Sequence, residues 1–250
     1  MSEYNLTMRK LFKYSGSKSK LVPFYRAPPE GTKRIVEPYL GSGSYILSTE
    51  LPGLGFETNP EVVAMWEWLK TASPDDIRQI DKMVRDARIR EQKPDVKQMG
   101  LDLGPQTYVR INVTSVVTGQ LKSWKIYPQH NIPVNLTIDC LPRLKDIQVI
   151  QGTANSYIHQ DGDLLFIDPP YIGTDGGYKD KKVDHGKNYD PEDTKRLISS
   201  TSNPIIFTYG DGAQDIFGEY KWKHVKTAKV PNMRRGGTTD RSEWVAYINW

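Results

Sequence analysis

The residues with the most evident chemistry in this chain are Asp168-Pro169-Pro170-Tyr171. A proline ring fixes φ and keeps the residue before it extended, so the double proline would aim Asp168 rather than leave it mobile. A fixed carboxylate, a Pro169 carbonyl that cannot turn away and the flat ring of Tyr171 suit one task. They can accept the two hydrogens of an exocyclic amino group while stacking on the base that carries it. The plainer alternative is a strand followed by a proline turn with a capping Asp.

Something must hold these residues in place. The apolar run Leu164 to Ile167 before Asp168 reads as a buried strand of a parallel sheet. Open α/β sheets bind ligands beyond the carboxyl ends of their strands, which would put Asp168 at the mouth of a site. Upstream, Arg34 to Glu37 reads as a strand that runs through Pro38-Tyr39-Leu40 into Gly41-Ser42-Gly43 and then a helix, Tyr45 to Glu50. Glycines there allow close approach of a ligand, and a helix N-terminus favours an anionic group. The third glycine of a dinucleotide fingerprint is missing, which disfavours a dehydrogenase, and no Gly-Lys-Ser/Thr of a P-loop follows. A second strand, Gly53 to Glu57, ends in an acid about twenty residues later, a spacing at which α/β folds reach ribose hydroxyls.

The remaining chain supplies candidate helices from Ser17 to before Ala27, from Pro60 to Lys70 and from Ser73 to Arg90. In the last, Ser73 is a cap, Pro74 takes the first position and Asp75 and Asp76 complement the helix dipole. Residues 91–104 look irregular, and Thr107 to Val117 is helical or extended. Lys122, Trp124, Lys125 and Tyr127 interleave charge with aromatics, either as a hairpin facing nucleic acid or as surface decoration. The block 72–133 interrupts strand–helix alternation and reads as an inserted recognition region, leaving 1–71 and 134–250 as the catalytic domain. Alternation resumes with a helix near Leu141 to Lys145, a strand Gln148 to Gln151, a loop Ile172 to Lys187, and a helix capped at Asp190. Strands Ile205 to Tyr209, Lys221 to Thr227 and Glu243 to Asn249 follow, and Arg234 and Arg235 precede the last as natural phosphate contacts.

With 250 residues, 37% hydrophobic and net charge +4, the chain fits one large domain or one with an insertion. The mild positive charge permits a polyanionic partner without demanding one. A single cysteine, Cys140, excludes an internal disulfide framework and a cysteine-based zinc site. Four histidines without ligand spacing give no reason to expect a metal. No stretch approaches the roughly 20 apolar residues that span a bilayer. A cytoplasmic protein without a membrane association is expected, as a monomer or weak homodimer.

In order along the chain, these pieces resemble the DNA adenine methyltransferases of the Dam type. Lys13-Tyr14-Ser15-Gly16-Ser17-Lys18 is similar to the N-terminal motif of that family, and Glu37 to Ser44 to its methyl-donor glycine loop. Glu57-Thr58-Asn59 is similar to the ribose-binding acid segment, and Asp168 to Tyr171 to the catalytic motif. The resemblance implies a Rossmann-like α/β fold with a mainly parallel seven-stranded sheet, S-adenosylmethionine as donor and adenine in DNA as acceptor. It implies donor contacts from Tyr14, Lys18, Glu37, Glu57 and Asp168, and from the Gly41, Ser42 and Gly43 backbone. Asp168, Pro169, Pro170 and Tyr171 would be catalytic on a flipped-out base, and Lys122, Trp124, Lys125, Tyr127, Arg234 and Arg235 would contact DNA. A cytosine-amino methyltransferase and a catalytically idle DNA-binding protein on the same fold remain open as alternatives.

Overall fold

Along each inner strand, apolar residues alternate between two hydrophobic cores. Ile35, Leu164, Phe166, Ile206 and Val245 enter one, while Val36, Leu165, Ile167, Ile205, Phe207 and Ala246 enter the other. A strand buried on both faces needs both of its side-chain rows apolar, so helices must cover the sheet on each side. The structure, a computed structural model, describes residues 6, 9, 11, 12, 14, 16–90, 94–114, 124–153, 155, 157–171, 189–231 and 238–250, with backbone alone at 228–231 and 238–240.

It is an α/β protein with, among the described residues, a seven-stranded sheet that is mostly parallel. The strands are β1 (Arg34–Glu37), β2 (Gly53–Glu57), β3 (Ile147–Gln151), β4 (Asp163–Ile167), β5 (Ile205–Tyr209), β6 (Lys223–Pro231) and β7 (Thr238–Ile248), in the order β3-β2-β1-β4-β5-β7-β6. The first five are parallel, and β7 runs antiparallel between β5 and β6. Helices α1 (Pro60–Thr71), α2 (Pro74–Arg90), α3 (Leu103–Val113) and α4 (Val134–Leu144) contribute to the first core. Helices α5 (Pro191–Ser199) and α6 (Ala213–Ile216) contribute to the second. Among the described residues, no helix is long and apolar enough to cross a membrane.

Local chemistry accounts for the helix starts. Asn59 and Asp190 each accept an amide two residues on, ahead of a proline at the first position of α1 and α5. Ser73 and Asp76 exchange hydrogen bonds reciprocally at the start of α2. The region 72–133 shares its core with the rest of the chain: Ile77, Val84, Tyr108 and Val113 join the cluster that holds Ile35 and Leu164.

Several sequence expectations change. The helix expected from Ser17 is instead a set of turns ending in a short 3-10 segment, Val22–Phe24, because Lys18 is drawn into the site described below. The helix expected over Tyr45 to Glu50 is a single 3-10 turn, Ile46–Ser48. There Ser48 and Thr49 hydroxyls take nearby carbonyls, and the buried Arg143 guanidinium holds the Ile46, Thr49 and Leu51 carbonyls. The irregular stretch 91–104 contains a 3-10 turn, Val96–Met99, capped by Asp95, and α3 begins at Leu103. The helix placed near Leu141 starts earlier, at Val134, and tolerates Pro142 in its last turn.

Candidate active site

The chain builds outward from β1 through β2 to β3, then returns to the other side of β1 as β4. Between β1 and β4 the direction of build reverses, which opens a crevice at their carboxyl ends. Glu37 closes β1 and Asp168 follows β4, so the glycine turn after β1 and Asp168 stand on the two sides of that crevice.

Lys18 connects the two sides. Its amide donates to Ser44 Oγ at 3.1 Å, and that hydroxyl also meets Ser17 Oγ at 3.1 Å and Ser42 Oγ at 2.8 Å. Its ammonium lies 2.9 Å from Asp168, 2.9 Å from the Gly16 carbonyl and 3.9 Å from Glu243. The Lys18 side chain is only 3% exposed, so this charge depends on those partners. One residue thus ties the glycine turn to the catalytic candidate.

Asp168 also accepts from Thr208 Oγ1 at 3.2 Å and from the Tyr171 hydroxyl at 3.1 Å. The same hydroxyl lies 2.8 Å from a Glu243 oxygen. The Tyr171 ring packs on Tyr209, with centroids 4.6 Å apart, and against Gly210, where a Cβ would stand 2.7 Å from the ring. The Lys18 ammonium lies 4.9 Å from its centre. Tyr171 is therefore held through its hydroxyl as well as its ring, which the sequence reading did not foresee. Burial, reinforced by Asp168 and Glu243, pushes the Tyr171 hydroxyl well above the ordinary phenol range. Tyr25 is raised by the same causes, and its buried hydroxyl has no hydrogen-bond partner among the described residues. Burial raises the Glu243 carboxyl too, against the pull of Lys18.

The glycine turn is shaped from beneath. Gly41 and Gly43 have φ of 46° and 59°, a backbone that side chains rarely adopt. The Tyr14 ring covers Gly41, the Trp66 ring lies against Gly43, and Trp66 Nε1 donates to the Gly41 carbonyl at 3.2 Å. Glu37, expected to contact a cofactor, instead accepts the Tyr45 and Ile46 amides on one oxygen at 3.0 and 2.6 Å. It caps the turn after the glycines, and the stack of Tyr45 on Phe166 (4.9 Å, 1°) fixes that turn to β4. Glu57 lies at the end of β2 and accepts the Asn59 amide at 2.8 Å, with the Thr58 and Gly41 amides also bonding it. Its carboxylate is buried beneath the turn.

Burial pushes Glu37 up to about 8 and Glu57 up to about 7, from an ordinary 4.5. A raised carboxyl favours the folded state fully below its unfolded value, and that contribution is lost as pH rises through the folded value. Stability is therefore expected to decline between about pH 4.5 and 8. Glu37→Gln should flatten this decline by on the order of a few kcal/mol in thermal melts across that range. Equal slopes for variant and wild type would remove Glu37 as a cause.

The other site candidates fall into two groups. Lys122, Arg234 and Arg235, and the loop 172–187, lie outside the described residues. Of the expected hairpin at 119–128, residues 119–123 lie outside the described residues; in the remainder Lys125 makes an isolated bridge to Asp95, and their side chains pair at 3.3 Å. The Trp124 ring takes the Arg110 guanidinium at 3.6 Å and the Lys97 ammonium at 4.7 Å. Arg110 is buried against Glu61, and a ring face covers what that ion pair leaves open. Tyr127 stays exposed. Sequence reasoning missed Thr208, Tyr25 and Glu243. Of these, only Glu243 carried a signal, as an acid heading the apolar run 244–248.

The fold and site define an α/β protein with a lysine-bridged acid pair at its strand-reversal crevice. No protein-family model matches the chain, and no curated protein matches it.

Proposed function

We propose that this protein is a site-specific DNA methyltransferase that transfers a methyl group from S-adenosylmethionine to the N6 amino group of adenine, by base flipping. The observation that carries this reading is the juxtaposition of Asp168 with the glycine turn through Lys18. That is where an acceptor amino group and a nucleoside-bearing donor would have to meet.

The residues fit such a donor. Ser17, Ser42 and Ser44 offer hydroxyls at the turn, Tyr14 covers Gly41, and Glu57 lies below it. Two carboxylates facing one ammonium leave the crevice able to accept a cation. When bound, S-adenosylmethionine supplies an electrophilic methyl on a sulfonium. The chain's own residues do the rest. Asp168 and the Pro169 carbonyl accept the amino hydrogens and aim the nitrogen, while Lys18 and Thr208 hold Asp168 in place. Incubating the protein with DNA and labelled donor, then identifying the methylated nucleoside by mass spectrometry, tests the reading. N6-methyladenine is expected; N4-methylcytosine would change the base, and no methylation of any DNA would end the proposal.

The β6–β7 arm next to the site supports the DNA part of this reading. β5 pairs with β7 only as far as Tyr209↔Trp244, whereas β6 and β7 continue together to Pro231↔Thr238. The six further pairs make a two-stranded ribbon roughly 20 Å long beyond the carboxyl end of β5, at about 3.4 Å per residue. A major groove admits such a ribbon. Arg241 and Lys226 share the ribbon face of Glu243, and both are exposed. Lys226→Ala and Arg241→Ala are each expected to reduce the slope of log affinity against log salt by about 1, read by fluorescence anisotropy. Unchanged slopes would take the ribbon out of the DNA interface.

A further inference from the structure

The Tyr171 hydroxyl has one proton and two carboxyl groups within hydrogen-bond distance, Asp168 at 3.1 Å and Glu243 at 2.8 Å. Ionised carboxylates only accept, so both bonds form together only when one of the two acids carries a proton. Asp168 already accepts from Lys18 and Thr208, while Glu243 is 3.9 Å from the same ammonium. The geometry therefore makes Glu243, rather than Asp168, the member that takes up a proton when one is added.

We propose that Glu243 is the proton acceptor of this site, acting on the reacting group through the Tyr171 hydroxyl and Asp168. The proposal rests on the methyltransferase reading. The amino nitrogen bonds to the methyl carbon as the carbon–sulfur bond breaks, the electron pair staying on sulfur. Nitrogen is left with one proton too many. That proton passes to Asp168; Asp168 gives it to the Tyr171 oxygen as the Tyr171 proton moves to Glu243. Asp168 is again an anion, Tyr171 is unchanged and Glu243 is neutral. Glu243, 25% exposed, then releases the proton to water. Glu243 thus serves as a positioning residue, since it touches neither substrate nor donor.

The groups that face Glu243 are consistent with this. Lys18 favours its ionised form, whereas Asp168, Asp211 and burial favour its proton. Tyr25 interacts with both acids from the segment beneath, and Lys226 lies opposite Glu243 on β6. Proton uptake by Glu243 is therefore poised above the ordinary carboxylate range.

Two measurements test this. The first is the single-turnover methylation rate against pH for wild type, Glu243→Gln and Tyr171→Phe. The wild-type rate is expected to fall toward acid as Glu243 becomes protonated at rest. Both variants should be slower by about 100-fold, as for loss of a positioned acid–base group, and Glu243→Gln should lack that acidic limb. An unchanged limb in Glu243→Gln overturns the proposal. The second needs no turnover: infrared difference spectra of the protein alone, titrated with acid. The wild-type spectra should contain one protonated-carboxyl component that those of Glu243→Gln lack, beside the bands of the other buried acids, and its midpoint should shift in Tyr171→Phe. Wild type that methylates DNA and whose carboxyl bands match those of Glu243→Gln overturns the relay alone. The extra component in a protein that methylates no DNA overturns the functional reading, and the relay with it.

Discussion

Asp168→Asn is expected to slow methyl transfer by at least about 100-fold while costing less stability than Asp168→Ala, because the amide oxygen can still accept from Lys18. An amide keeps the volume and can still accept from Thr208 and Tyr171, but it cannot place a full negative charge beside the developing cation. Loss of one pre-organised group of this kind costs about 10²–10³ in rate. Asp168→Ala differs for a reason outside the chemistry. Removing the carboxylate leaves the buried Lys18 ammonium with the Gly16 carbonyl and a Glu243 oxygen 3.9 Å away. Orphaning a buried charge costs about 3–5 kcal/mol, and Glu243 should offset part of that. A melting temperature lower by roughly 5–15 °C is expected, at about 2–4 °C per kcal/mol for a chain of this size. The double variant Asp168→Ala/Lys18→Met should recover most of that stability and none of the activity. Asp168→Asn activity within tenfold of wild type would refute the role of this carboxylate.

The second large effect belongs to Gly43→Ala, a methyl group placed where there is neither backbone freedom nor room. The left-handed φ of 59° costs a non-glycine residue about 1–2 kcal/mol. The added Cβ would also stand 2.8 Å from Trp66 and 3.1 Å from Ile46. Trp66 cannot easily yield, being fully buried and bonded through its indole to the Gly41 carbonyl. Overpacking of this sort adds about 1–3 kcal/mol. A total of about 2–5 kcal/mol is expected, with donor affinity falling because the turn must shift. Calorimetric melting and isothermal titration with S-adenosylmethionine check the two parts. A variant as stable as wild type would mean that the turn is not under the constraint described.

The parallel sheet was legible because its strands are short apolar runs that end on acids or glycines, and the capped starts of α1, α2 and α5 could be read directly. The weaker expectations failed where a distant side chain decides the backbone. Nothing local to Tyr45 announces that Arg143, almost a hundred positions on, will hold its turn short. Nothing near Ser17 announces that Lys18 will pair with Asp168 across 150 positions. In the site, Asp168, Tyr171 and the glycine turn were readable because their chemistry is compact in sequence. Glu243 and Thr208 were not, because each comes from a different strand and meets Asp168 only through the sheet order β4-β5-β7. Glu37 and Glu57 were legible as acids that end their strands, but their amide partners were not: Tyr45 and Ile46 for Glu37, and Asn59, Thr58 and Gly41 for Glu57.

The β6–β7 extension has a consequence for how this protein behaves in company. Past Ser242, whose amide is met by the Asp211 carboxylate, β7 has left its β5 neighbour and, among the described residues, has no other strand along that margin. Such a margin is a template on which another chain could lay a strand. Lysines at 226 and 229 and an arginine at 241 sit along this arm, and like charges meeting across two copies would push them apart. The same cations that suit a polyanion would then also keep concentrated protein from stacking into fibrils, so their neutralisation should be felt first as poorer solubility.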